Sequence, residues 1–218
     1  MKRVAFEIPD YYIPIVSSPI RNKMDLLNVL AKTIQLMSYT EIQDESNLSP
    51  SKKIVLYIDK MSRLFFCLQD KIFSFQFPFH VHIDEESSAL SFTYNSSVAI
   101  DSMLGSLLVA IFSHESSPIG TFEQIDERIK QEIEENEWEG IDYSEVCELV
   151  KHLIMIEPGY FRYDYDPQHA NGLIHPQSHI DIFYSSNCTL KLGLDEPISS
   201  DWIIDLSNIL SDCKFLRT

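Results

Sequence analysis

The sequence of 218 residues predicts an α+β fold, with an antiparallel sheet and helices packed mainly on one side, in a single domain over residues 1–218. Three patterns carry that expectation. Phe73, Phe75, Phe77, Phe79, Val81 and Ile83 recur at period two, the mark of a strand with one buried face. Leu26, Leu27, Leu30, Ile34 and Met37 recur at helical spacing. Segments of the two kinds interleave along the chain without an internal repeat or a long linker.

Residues 4–8 alternate weakly and predict a first strand, after which Pro9, Pro14 and Pro19 keep the chain extended or irregular. A core-facing helix follows over 22–37, then a polar surface loop over 41–53. The apolar runs at 54–58 and 64–68, separated by a polar stretch, read as a hairpin. On the phenylalanine-rich strand, Ser74, Gln76, Pro78, His80 and His82 occupy the second face. Pro78 has no amide hydrogen, which places that strand at an edge or bulges it there. Residues 89–94 form a further strand and 97–112 a buried helix. Thr121-Phe-Glu-Gln124 is a capping box opening an acidic helix that runs to Trp138, and Gly140 ends it. Asp142 caps the next helix, whose Val146, Leu149, Val150, Leu153 and Ile154 face the core. A β-meander over 160–194 leads to a last helix, capped by Ser199 or Ser200 and carrying Trp202, Ile203, Leu206, Ile209 and Leu210.

Composition excludes several classes. Thirteen Phe and ten Tyr supply enough apolar area for folding without a metal or disulfide staple. Cys67, Cys147, Cys188 and Cys213 are far apart and form no CxxC pair, which suits reduced thiols in the cytoplasm. The basic Met1-Lys2-Arg3 start is followed by an apolar run that breaks at Glu7 and Pro9, so no signal peptide is expected. No apolar run reaches the length of a membrane span. The net charge is −16, and residues 121–150 hold eleven acidic residues against Arg128 and Lys130. Such a surface repels phosphate backbones and argues against general nucleic-acid binding. Either it keeps the protein dissolved as a solvated face, or it docks a basic partner or mimics nucleic acid in a basic groove.

Residues of catalytic type gather in the meander. On strands, Arg162, Asp164 and Asp166 share one face, and His179 and Asp181 share another. Pairing of the two strands through the loop over 167–177 sets an Arg/Asp/Asp row beside a His/Asp pair. That set offers a phosphate clamp, a base that titrates near neutral pH and carboxylates to orient it. The same residues also suit the wet face of a half-buried sheet. His175 and His179 make a weak metal pair, because four strand residues span about 13 Å. His175 is expected to end the loop, and His169 reaches a metal only if the loop folds back. His80 and His82 read as exposed histidines of an edge strand. No nucleophile elbow, phosphate-binding glycine loop or dinucleotide fingerprint is present. No cofactor and no metal are predicted.

The stretches FRYDYDP, HPQSH and NCTLKL, followed by Pro197, resemble the C-terminal signature of a bacterial family known as domain of unknown function 2290. The matching positions are Phe161, Arg162, Asp164, Asp166, His175, Pro176, Ser178, His179, Asn187, Cys188 and Pro197, in roughly the last third of the chain. The chain departs from the pattern at Asp181, Phe183 and Thr189, the last standing where the pattern has arginine; Lys191 is an alternative base there. The resemblance implies a bacterial origin and a site formed by Arg162, His175 and His179, but no reaction. Two functions remain open. One is a cytosolic interaction or accessory protein acting through its acidic surface on a protein partner, in a toxin–antitoxin or phage-defence operon. The other is a small phosphodiesterase or ribonuclease-like enzyme with His179 as base, Arg162 on phosphate and His175 as acid. A positive concave pocket at Arg162 favours the enzyme; a flat polar ribbon there, with an apolar patch elsewhere, favours interaction.

Overall fold

The structure, a computed structural model, describes residues 2–59, 61–84, 88–113, 121–185 and 187–215. Its elements in chain order are β1 (Arg3–Glu7), α1 (Ile13–Ser17), α2 (Lys23–Tyr39), β2 (Lys52–Tyr57), β3 (Arg63–Leu68), β4 (Lys71–Gln76), β5 (His80–Ile83), β6 (Leu90–Tyr94) and β7 (Val98–Ala99). Then come α3 (Ser102–Ser113), α4 (Phe122–Glu135), α5 (Tyr143–Met155), β8 (Phe161–Tyr165), β9 (Ser178–Ile182), β10 (Leu190–Leu194) and α6 (Ser200–Ser207). The fold is α+β. The chain divides into two compact units, the first built from Met1–Pro19, Ile42–Phe77 and Pro158–Thr218, the second from Ile20–Glu41 and Pro78–Glu157.

The first unit holds a seven-stranded sheet of order β1-β2-β3-β4-β8-β9-β10, with every neighbouring pair antiparallel. Successive strands are neighbours except at β4, where the chain leaves for the second unit and returns to lay β8 beside it. On one face Val55, Phe65, Ile72, Tyr163 and Ile180 cluster with Ile203 and Ile204 of α6. On the other, Phe66 and Phe73 stack with centroids 4.4 Å apart and planes 3° apart, and Phe75 joins them. Ser199 caps α6 by accepting the amide hydrogen of Trp202. The helix stops at Ser207, so Ile209 and Leu210, expected on its core face, lie beyond it and are exposed.

The period-two phenylalanine run is not one strand. β4 is a central strand buried on both faces, since Phe73 and Phe75 are as buried as Ile72 and Ser74. Its ladder ends where Gln76 N–H turns to the carbonyl of Pro158 and Phe77 N–H to that of Ser62. Past Pro78 the extended chain enters a different, three-stranded sheet of order β5-β6-β7. The alternation persists because the backbone stays extended; the missing amide hydrogen of Pro78 permits the change of partner.

In the second unit, Asn22 and Asp25 form a capping box on α2, and Thr121 and Gln124 form one on α4. Asp142 accepts amide hydrogens from Ser144 and Glu145 to open α5. Gln35 of α2 donates to Ser106 of α3 at 2.9 Å. Residues 98–99, expected in the helix that follows, pair with β6 instead, and α3 begins at Ser102. Glu132, one of the acids of the helix expected at the surface, is buried and accepts hydrogen bonds from the Asn136 side-chain amide. Among the described residues no helix is long and apolar enough to cross a membrane.

Candidate functional site

β8 and β9 pair antiparallel with Arg162 opposite Asp181 and Asp164 opposite His179, which puts all four side chains on one face. β10 adds Lys191 opposite Asp181, and β4 adds Lys71 opposite Asp164. The convergence of Arg162 and His179 therefore follows from strand register. The loop between β8 and β9 folds back: Asp166 N–H bonds Gln177 O at 2.8 Å, and Asn171 and His175 form an isolated bridge. Pro176 then lies over β10 at Gly193, where a Cβ would sit 2.9 Å from its Cγ, so only glycine leaves the ring room. This brings His175 onto His179 with ring centroids 4.7 Å apart. The strand span of about 13 Å does not separate them, because His175, as expected, belongs to the returning loop rather than to β9.

Hydrogen bonding fixes the roles within the cluster. Arg162 donates from Nε to Asp164 Oδ2 at 2.5 Å and from Nη2 to Asp181 Oδ2 at 2.7 Å. The guanidinium is thus committed to two carboxylates. Those carboxylates do not orient the histidine: His179 Nε2 lies 3.6 Å from Asp164 Oδ2 and 3.9 Å from Asp181 Oδ2, beyond hydrogen-bond reach. Its Nδ1 contacts the Pro176 carbonyl at 2.9 Å, and a carbonyl can only accept, so the proton sits on Nδ1. His179 is 2% exposed. Asp166 leaves the cluster to bond His169 at 3.0 Å, and that contact holds its carboxyl below the usual range. His169 is exposed. His80 and His82 lie on β5 of the second unit, exposed as expected of an edge strand.

Three polar atoms in the cluster are buried without a hydrogen bond: Tyr160 Oη, His175 Nδ1 and Asp181 Oδ1. The last lies 3.8 Å from Lys191 Nζ. Burial pushes the Tyr160 phenol up to about 12 against the pull of the nearby Arg162, with which it makes no bond of normal geometry. Burial also works against the Arg162 cation, but Asp164, Tyr160 and Asp181 hold it above its ordinary value. Asp164, His179 and Asp181 bring one potential metal-ligand atom each within 4.8 Å of one another. Arg162 already supplies the positive charge at both Oδ2 atoms, so a divalent ion would have to displace it.

Lys71 and Tyr160 are members of the cluster that motif reading missed. Lys71 donates to the carbonyls of Val16, Ser17 and Ser18 at the end of α1. Burial, reinforced by Arg162, lowers its ammonium to about 8 from the ordinary 10.5. Between pH 8 and 10.5 the unfolded chain then binds more protons at this residue than the folded one, so its contribution to stability rises with pH across that window. Urea unfolding should show the wild type gaining stability relative to Lys71→Met from pH 8 to 10.5. A relative loss over the same window contradicts the burial of the charged form.

Comparison with known proteins finds no matching family model, no matching curated protein and no matching solved structure.

Proposed function

We propose that this protein is an interaction or accessory protein that docks a basic protein partner through the acidic outer face of α4, and not an enzyme of the meander. The observation that carries this reading is the pairing of Arg162 with Asp164 and Asp181, beside a His179 that is 2% exposed. The two carboxylates already neutralise the charge that a phosphate clamp would use, and a general base needs access to substrate. The acidic face has the opposite character. Glu123, Glu127, Glu134, Glu135, Glu137 and Glu139 are exposed, and no described basic side chain pairs with them. The basic residues of the segment are engaged elsewhere, Arg128 on the Ile111 carbonyl and Lys130 over the Tyr143 ring. The family resemblance supports a bacterial origin and a toxin–antitoxin or phage-defence operon, and the scattered cysteines suit a cytoplasmic setting.

The test is affinity capture from the native host, followed by titration with the captured protein at several salt concentrations. Replacing Glu123, Glu127, Glu134, Glu135 and Glu137 by Gln should leave the fold intact while weakening binding and flattening its salt dependence. Unchanged affinity removes the acidic face from the mechanism. Hydrolysis of bis(4-nitrophenyl) phosphate that His179→Ala abolishes would replace this reading with the phosphodiesterase.

A further inference from the structure

A cavity of about 640 Å³ lies in the first unit, lined by none of the meander-cluster residues, with Met61, Ile209 and Leu210 as its apolar wall and Asp59, Arg63, Ser207 and Asn208 as its polar one. That volume is in the range that holds a small organic ligand. Ile209 and Leu210, 81% and 68% exposed, follow the end of α6 and leave aliphatic surface in water at the cavity. Arg63 is the telling residue. It opens β3, with its guanidinium carbon 5.2 Å from the centre of the Phe161 ring. Burial alone draws it down to about 10, and no described carboxylate forms an ion pair with it.

The donors show which edge is free. Both bonds that Arg63 makes come from Nη1, to Gly159 O at 2.9 Å and to Ser74 Oγ at 3.2 Å. The Nε–H and the two hydrogens on Nη2 find no acceptor among the described residues. That side-on pair of donors matches the two oxygens of a carboxylate. Gly159 makes room for this seat, since a Cβ there would lie 2.7 Å from Nη2. Asp59, on the same wall, accepts from the Lys2 amide at 2.5 Å and adds a negative charge that disfavours a dianion. A half-buried cation without a counter-charge carries a desolvation cost, and an anion arriving with an apolar body offsets it.

We propose that this cavity binds an aliphatic monocarboxylate, with the carboxylate on the Nε–Nη2 edge of Arg63 and the chain along Met61, Ile209 and Leu210. The site has no part in the docking surface of α4 and stands or falls separately from it.

Titration calorimetry on the full chain with decanoate, decanol, decylamine and acetate tests both halves of the site. Decanoate should bind saturably and about tenfold tighter than decanol, with decylamine and acetate not binding. Arg63→Gln should remove the preference for decanoate over decanol, and Ile209→Asp, at an exposed position, should weaken decanoate binding without unfolding the protein. Equal binding of decanoate and decanol, an absence of saturable decanoate binding, or unchanged decanoate affinity in folded Arg63→Gln overturns the proposal. If Arg63→Gln does not fold, the headgroup series on the wild type and the Ile209→Asp titration decide it.

Discussion

Phe73→Ala is expected to lower the free energy of unfolding by about 3–5 kcal/mol, among the largest effects of any single truncation in the sheet. The ring is 0% exposed, stacks on Phe66 at 4.4 Å and lies 6.3 Å from both Phe75 and Tyr160. Lys71 Nζ sits 4.9 Å from its centre, so truncation also strips a half-buried cation of a favourable π face. The cavity cannot collapse easily, because β4 is hydrogen-bonded to β3 on one side and β8 on the other. Val81→Ala provides the contrast. Val81 continues the same period-two run but lies half-buried on β5, an edge strand of the smaller sheet, and should cost only about 1 kcal/mol or less. Urea unfolding of the two variants measures the difference. Similar losses at both positions would mean that the run behaves as one strand.

That contrast shows where pattern reading succeeded and where it stopped. Local chemistry was legible: Thr121 with Gln124, Asp142 and Ser199 cap the helices that their side chains predict, because capping involves residues only two or three apart. The β2–β3 hairpin was legible for the same reason. Sheet membership was not. Period two reports an extended backbone with alternating burial, and it is silent about which neighbour accepts the hydrogen bonds; the switch at Pro78 leaves no mark except the proline itself. Glu132 escaped notice because residue type was weighed above position: it follows Ile125 and Ile129 at helical spacing, on the buried stripe of α4.

The meander cluster divides in the same way. Arg162 and His179 met because β8 and β9 are joined by a loop short enough to make antiparallel pairing the natural outcome. Lys71 is far from β8 in sequence and joins only because β8 docks on β4 after the chain has built the second unit. Residue types alone could not show how the charges would pair. A strand face holding Arg, Asp, His and Asp describes a phosphate site as well as it describes a closed ion-pair network. The choice rests on a 2.5 Å and a 2.7 Å contact that commit the arginine to its own carboxylates.

Arg162→Met tests that commitment. Removing one member of a buried ion-pair network typically costs about 3–5 kcal/mol, since the partners keep their desolvation penalty and lose their counter-charge. The Arg162 side chain is 24% exposed and that of Asp164 18%, so the loss belongs at or below the lower end of that range. Asp181, at 10%, is the carboxylate stranded most completely, because Lys191 stands no nearer than 3.8 Å. Replacing the network as a whole, with Arg162→Met, Asp164→Leu and Asp181→Leu together, should recover most of the deficit, as no uncompensated charge remains. His179→Ala separates structure from catalysis on the same strands. A ring that is 2% exposed and tied to the Pro176 carbonyl holds the loop down, so its removal should lower the melting temperature while the folded protein still binds its partner through α4. A variant that keeps the melting temperature but loses the biological activity would return His179 to the role of a base. Arg162→Met would then be expected to fail in turnover rather than in folding.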